Sequence, residues 1–284
     1  MSTPLTEPAP LLDYAALFAP LHDRLLEVLR PLDDAGWLRP TRAGAWRVRD
    51  VAAHLLDNEL RALSYRRDRM LPPPPDGPID GFQPLVGFLA RLNQGWVDVF
   101  ARFSPGVLLE LLAWSGPQVA AAMSALDPFA DALFPVAWAG EDRSQNWMDV
   151  AREYTERWHH QQQIREAVGA PLLEEARFLR PLLHVSVRAL PRAWAATEAP
   201  PDTDVVVHIE GEAGGDWTLR RRAGGWILLE GAAAAPAARV SMDERAAWRL
   251  FFKALPEDEK RRAIASSGDP RLAAPMEATL AVMA

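Results

Sequence analysis

The sequence predicts an antiparallel four-helix bundle followed by a small α+β domain with an antiparallel sheet. Three observations carry this expectation. Apolar residues recur at helical spacing through residues 1–170, in segments divided by Pro and Gly clusters. After Gly169 the pattern changes to short runs separated by Gly pairs. Helical spacing then returns to the end of the chain, and strands followed by helices indicate an α+β module. The expected domains are residues 1–170 and residues 171–284. With 284 residues, 49% of them hydrophobic, the chain can fill two ordinary cores.

Residues 10–33 carry Tyr14, Leu17, Phe18, Leu21, Leu25 and Leu29 on one helical stripe. The interior Pro20 is expected to kink or split it. Residues 37–46, with Pro40 and Gly44, read as a loop. A second helix over 48–70 follows an arc of Val48, Val51, Leu55, Leu56 and Leu63, and the prolines at 72–75 stop it. Two further helical segments span 81–103 and 107–126, divided by Ser104, Pro105 and Gly106. Residues 127–146 read as irregular, anchored by Trp138. A long helix over 147–168 has no internal Pro or Gly and ends at Gly169, which suits a C-terminal cap.

In the second domain, 178–194 is helical. Strands are expected over 204–209, 216–221, 226–230 and 238–242, with hairpin turns at Gly214-Gly215 and Gly224-Gly225. Helices are expected over 243–254, 257–265 and 271–283.

Composition narrows the chemistry. With no Cys, a disulfide framework, a thiolate-ligated metal and a Cys nucleophile are excluded, so a metal must sit on His, Asp or Glu. A net charge of −7 argues against nucleic acid as a partner. The N-terminus lacks a basic-then-apolar leader, and no apolar run reaches the length of a membrane span, so a soluble cytoplasmic protein acting on a small molecule is expected. No glycine-rich phosphate loop opens a helix. The arginines at 220–222 read as a solvated turn edge.

The 147–168 helix holds the candidate site. At about 100° per residue, Trp147, Ala151, Tyr154 and Trp158 share one stripe, and Asp149, Glu153, Glu156, His160 and Ile164 share another. Glu156 and His160 are four apart, so their side chains meet over one turn and can grip one cation. The same spacing is common on solvated helix faces, and spacing alone leaves both readings open. On the 48–70 helix, Asp50, His54, Asn58 and Arg61 form a polar line. Asp50 precedes His54 by four, a spacing that suits either a hydrogen bond to the ring or an ordinary ion pair. His184 has no partner at suggestive spacing, His22 can join a site only by tertiary proximity, His208 among valines reads as a satisfied core or edge histidine and less readily as a ligand, and His159 points about 100° away from His160.

The segment Trp46-Arg-Val-Arg-Asp-Val-Ala-Ala-His-Leu55, followed by Glu156-Arg-Trp-His-His-Gln-Gln-Gln-Ile164, resembles the DinB-like superfamily, and within it the mycothiol-dependent maleylpyruvate isomerases. In the second domain, the Gly-rich hairpin with Trp217 and Trp226, then Trp248 and Ser267-Gly268-Asp269, resembles the sterol-carrier-like part of those proteins. The resemblance implies a metal-binding bundle joined to that part, with His54, Glu156 and His160 as ligands. One departure stands out: the isomerases commonly carry Asp three residues after the ligand His, and this chain has Gln163, as the wider superfamily does.

Two imidazoles and one carboxylate form the open, catalytic kind of zinc arrangement. Zn2+ is favoured and Ni2+ also suits the donors. The resemblance implies a low-molecular-weight thiol of mycothiol or bacillithiol type as cosubstrate, activated for S-transfer or isomerisation of an electrophile. Asp50, Asn58, Arg61 and Gln163 are the candidates for outer contacts to ligand or substrate. Two alternatives remain at this point. One is metal-dependent hydrolysis, with Asp50, Glu153 or Glu141 as base. The other is non-catalytic small-molecule binding with a structural metal.

Overall fold

The structure, a computed structural model, describes residues 5–75 and 77–281. Packing divides the chain into two compact units. One is built from Leu12–Leu133 and Gln145–Leu173. The other is built from the chain up to Leu11, Phe134–Ser144, and the chain from Glu174 on.

The first unit contains α1 (Tyr14–Leu29), α2 (Val48–Ala62), α3 (Phe82–Phe100), α4 (Pro105–Ser124) and α5 (Asn146–Val168). Helices α1, α2, α4 and α5 pack as a four-helix bundle. Leu25 and Leu29 of α1, Val51 and Leu55 of α2, Leu112 of α4 and Ile164 of α5 meet in one buried cluster. The apolar stripe of each helix thus points where its sequence spacing says it should. Helix α3 lies outside the four and packs on α2, burying Val97 and Phe100.

Three details differ from the sequence reading, each for a local reason. Helix α1 runs unbroken through Pro20. Interior Pro costs about 3 kcal/mol, but Phe18, Leu21 and Leu25 around it are buried, each contributing roughly 1.5–3 kcal/mol. Helix α2 stops at Ala62 and continues as a wider π turn, Leu63–Arg67, a form enriched at functional places. Helix α4 is long and apolar enough by length and composition to cross a membrane, with 33% of that stretch buried. The uninterrupted-run criterion misses it because Ser115, Gly116, Pro117 and Gln118 divide the apolar residues.

A polar group is sealed inside this bundle. His22 Nδ1 donates to Glu59 Oε1 at 3.0 Å, and Ser115 Oγ donates to Glu59 Oε2 at 2.5 Å. A buried carboxylate needs such donors, because desolvation alone disfavours it. Gly116 makes the arrangement possible: a Cβ there would stand 2.3 Å from His22 Nε2.

The second unit contains α6 (Ala176–Ser186), β1 (Asp204–Glu210), β2 (Gly215–Arg222), β3 (Gly225–Glu230), β4 (Ala238–Asp243), α7 (Glu244–Phe251), α8 (Glu257–Ala263) and β5 (Ala265–Gly268). The sheet order is β3-β2-β1-β4-β5. Its hairpins are antiparallel as expected, but β1 and β4 run parallel, Val205 opposite Ala238 and Glu210 opposite Asp243. Residues 231–237 carry the chain from β3 at one edge back to the side of β1. Strand β5 falls where the sequence reading places only the last residue of a helix, Ala265, and then no element; it is a short, exposed edge strand. Val205, Val207, Ile209, Leu219 and Val240 are fully buried or nearly so, as are Trp248 and Phe251 of α7. In the segment Phe134–Ser144, Trp138 is buried on a single 3-10 turn, the anchor the sequence suggests.

Gly to Ala inside a helix normally gains up to about 1 kcal/mol. For Gly116→Ala we expect the opposite sign, a loss of about 1–3 kcal/mol from overpacking, read as a lower urea midpoint. A midpoint at or above that of the parent contradicts the packing of His22 on Gly116.

Candidate metal centre

The candidate ligands come from two helices of the first unit. Helix α2 begins with a one-way side-chain cap: Asp50 Oδ2 accepts from the Arg47 backbone N–H at 2.9 Å. That fixes the helix start, and His54 follows one turn later. Helix α5 carries Glu156 and His160 at the i, i+4 spacing, and Gly169, at φ +73°, closes it.

His54 Nε2 lies 3.1 Å from Glu156 Oε1, and His160 Nε2 lies 3.2 Å from the same oxygen. One donor atom from each of the three residues lies within 4.8 Å of the others. The two imidazoles meet edge to face, with centroids 4.7 Å apart at 78°. Ligand bonds of about 2.0–2.1 Å around a tetrahedral ion put donors roughly 3.3 Å apart. The three residues therefore fit a divalent cation with little movement. Exposure is lopsided: the His54 side chain is 2% exposed and that of Glu156 31%, so the donors are closed at the back and open at the front.

The tautomer of His160 is set from behind. Its Nδ1–H donates to Gln163 Oε1 at 2.8 Å, which leaves Nε2 to share a proton with Glu156 or, once deprotonated, to ligate a cation. Gln163 in turn donates from Nε2 to His159 Nε2 at 3.0 Å, which fixes the amide's orientation. The Trp46 ring lies beside both ligand rings, its centroid 5.1 Å from that of His54 and 6.4 Å from that of His160, tilted 45° and 38° to them. Trp46 is held by its own loop, where Thr41 Oγ1 donates to its carbonyl at 2.7 Å, and by Trp46 Nε1 donating to Gln94 Oε1 at 2.9 Å.

The electrostatics match a cation site. Burial opposes ionisation of Glu156, but His160 and His54 overcome it and hold the carboxyl well below its usual range. Burial also opposes charging of His160, yet Glu156 and Gln163 carry its pKa above the usual value. For His54 burial dominates over the Glu156 hydrogen bond, and its pKa falls. A bound cation must displace the proton that His160 shares with Glu156.

The other half of the α5 stripe does different work. Asp149 Oδ2 and Glu153 Oε1 accept from Arg66 Nη2 at 2.7 and 3.2 Å. Arg152 donates to Asp149 and Glu153, each at 2.7 Å, and Arg157 donates to Glu153 at 2.7 Å. Burial resists the charge on Glu153, but Arg152, Arg66 and Arg157 hold it ionised far below the usual carboxylate range.

Each candidate named from the sequence has a definite place. His54, Glu156 and His160 come together. Gln163 contacts His160, and Asn58 contacts both His54 and Arg61. Asp50 is corrected: it caps its helix, and His54 Nδ1 has no hydrogen-bond partner among the described residues. Capping wins because Asp50 sits at the third helical position, within reach of a free backbone N–H. Glu153 is taken up by arginines, and Glu141 accepts from Ser144 in the second unit. His208 pairs with Asp216 on the sheet, and Arg220 pairs with Asp204. Sequence reasoning missed Trp46, Asn93 and Gln94 as walls of the site. Trp46 lies in the segment that marks the second helix, but nothing in α3 announces that Asn93 and Gln94 meet it.

A family model described as the mycothiol maleylpyruvate isomerase N-terminal domain matches residues 18–165. No curated protein matches the chain. A solved structure of a mycothiol-dependent maleylpyruvate isomerase is 13% identical, with a TM-score of 0.56 over 91% of this chain and 93% of its own. A His-to-Ala mutant of that protein gives 0.55 over the same shares. At that identity the likeness is one of fold. A sterol carrier protein 2 like 2 from Aedes aegypti covers 36% of this chain and 96% of its own at 19% identity, with a TM-score of 0.27, too low to bear on the fold.

Two outcomes are expected. Gln163→Leu removes the acceptor that fixes His160, and metal affinity should fall roughly 10–100-fold, measured by competition with a chelating dye; unchanged affinity contradicts the role. His159 is held neutral, burial and then the His160 charge pushing its pKa from 6.5 down to about 3. The unfolded chain binds that proton more readily, so stability falls as pH falls below 6.5. The urea midpoint of the metal-free protein should drop between pH 6.5 and about 5, and His159→Gln should flatten the drop; an equal slope in the variant contradicts it.

Proposed function

We propose a function for this chain from one premise: it belongs to the family described as the mycothiol maleylpyruvate isomerase N-terminal domain. The proposed function is divalent-metal-dependent activation of a low-molecular-weight thiol, of mycothiol or bacillithiol type, for isomerisation of, or S-transfer to, an electrophilic small molecule. The observation that carries it is the convergence of His54, Glu156 and His160 from two helices on one point, open on one side.

His54, Glu156 and His160 would hold a divalent ion, Zn2+ or Ni2+, which would lower the pKa of a thiol or water beside it toward neutrality. His54 and His160 give neutral nitrogen donors and Glu156 one negative charge, leaving the group net positive toward an incoming anion. Gln163 keeps His160 in its ligating tautomer. Trp46 shields the two imidazoles from water. The chain has no Cys, so the sulfur nucleophile comes from solution. In the reading proposed, the thiol loses its proton to solvent, its sulfur bonds to one carbon of an electron-poor C=C, and the π pair moves onto the group that activates it. Rotation about the resulting single bond and return of that pair with expulsion of the thiolate complete an isomerisation; protonation of the adduct from solvent with the C–S bond kept completes an S-transfer.

Hydrolysis at the same donors is less well supported. Asp50 caps a helix and Glu153 is saturated by arginines, so neither is available as a base. We assign the cation to the unit built from Leu12–Leu133 and Gln145–Leu173. The protein is assigned to the cytoplasm, where such thiols are kept reduced.

The test uses the purified full chain loaded with Zn2+ and, separately, Ni2+, with mycothiol or bacillithiol and a generic electrophile. Turnover should need both metal and thiol, and His160→Ala should reduce it to background. No turnover with any thiol overturns the reading, and turnover without thiol replaces it with hydrolysis.

A further inference from the structure

Asn58 lies one turn beyond His54 on α2, and its amide is held at both ends. Asn58 Oδ1 accepts from Arg61 Nη2 at 2.6 Å. The same Arg61 nitrogen donates to Asn93 Oδ1 on α3 at 3.2 Å and lies 2.8 Å from Asp57 Oδ2. A guanidinium offers only donors, so the atom facing it is the amide oxygen. The NH2 group therefore faces the other way, and Asn58 Nδ2 stands 3.3 Å from His54 Nε2. That His54 nitrogen is also 3.1 Å from Glu156 Oε1. An oriented N–H donor thus borders the three ligating atoms without being one of them.

An imidazole nitrogen has one lone pair in its plane. In the cation-free protein His54 Nε2 carries its hydrogen toward Glu156, and a bound cation would take the lone pair instead, so in neither state does that nitrogen accept from Asn58. Arg61 prevents the amide from turning over, so the N–H must find another acceptor beside the cation. The open side of the donor set is where such an acceptor enters.

We propose that Asn58 is the hydrogen-bond donor that holds an anionic exogenous ligand, a thiolate or a hydroxide, on the cation, and that Arg61 is the residue that positions Asn58. This rests on the reading of His54, Glu156 and His160 as a cation site. It adds a specific recognition of negative charge at the fourth ligand. A donor aimed at that atom favours the anion over the neutral thiol or water, which cannot accept as strongly.

The experiment loads the full chain with Co2+ and follows visible absorption during titration with 2-mercaptoethanol and, separately, with azide. Asn58→Ala should keep its cobalt content and melting temperature. Its Kd for both probes should rise roughly 10–100-fold, the value of a hydrogen bond to a charged group. Arg61→Met, which frees the amide to turn, should weaken both in the same direction but less. Asn58→Asp, of the same shape, exchanges donor for acceptor and should weaken both probes wherever Ala perturbs the helix. Unchanged Kd values overturn the proposal. Loss of cobalt in Asn58→Ala as large as in His54→Ala also overturns it, because Asn58 then serves a ligand and not the anion. If the parent protein binds azide but no thiol, the thiol reading of the preceding section falls, and Asn58 is judged on azide alone. A parent protein that takes up no cobalt, or binds cobalt and neither probe, removes the Asn58 proposal.

Discussion

Glu156 accepts from imidazoles on two different helices, and the rest of the site depends on that contact. A carboxylate withdrawn from water costs several kcal/mol unless it is well paired. The pairing exists only while α2 and α5 keep one separation and one rotation about their axes. Those are set by the core, where Val51 and Leu55 of α2 and Ile164 of α5 share a cluster. Ligand geometry at this site is therefore inherited from hydrophobic packing on rigid helices, which holds side chains more accurately than loops do.

A single polar stripe along α5 is divided into two electrostatic regimes. Toward the N-terminus, Asp149 and Glu153 face three arginines, from positions 66, 152 and 157, and are saturated. One turn later, Glu156 accepts from the imidazoles of His54 and His160, which hold it ionised, with Arg152 acting on it only through charge. Arginine remains charged at any physiological pH and has a high affinity for carboxylate, so it excludes a competing metal from the first pair. Imidazole yields its proton near neutrality, so it lets a cation in at the second. The choice of Arg or His opposite a carboxylate decides which half is a brace and which half is chemistry.

The legible part of this protein is the part written in periodic spacing. The stripe through Glu156, His160 and Ile164, the arc of α2 with His54, and the four strands between 204 and 242 all follow from side-chain period. What spacing does not encode stayed hidden. Asp50 has two partners in reach, and only the backbone geometry of a helix start decides that Arg47 N–H wins. Strand β5 has four exposed residues and no alternation, so nothing local distinguishes it. The parallel pairing of β1 and β4 depends on where residues 231–237 travel, which their alanines do not state. Phe134–Ser144 lies in sequence between two bundle helices and packs with the second unit, a choice made by tertiary contacts alone. Trp46 was visible as a residue of the marker segment, but its role beside the two rings depends on a loop whose shape comes from Gly44 and Thr41.

The π turn at Leu63–Arg67 ties the length of this helix to an ion pair with another. A π turn contains one residue more than the α-helical path it replaces. Deleting one residue there would make the backbone more regular and, by the propensity of the segment, more stable in isolation. It would also rotate every later side chain by about 100° and turn Arg66 away from Asp149 and Glu153. The irregular hydrogen-bonding is thus retained against its own local preference by an ion pair with a helix some eighty residues away in sequence. The length of this stretch is thus tied to charge, because Arg66 reaches Asp149 and Glu153 only with the extra residue in place.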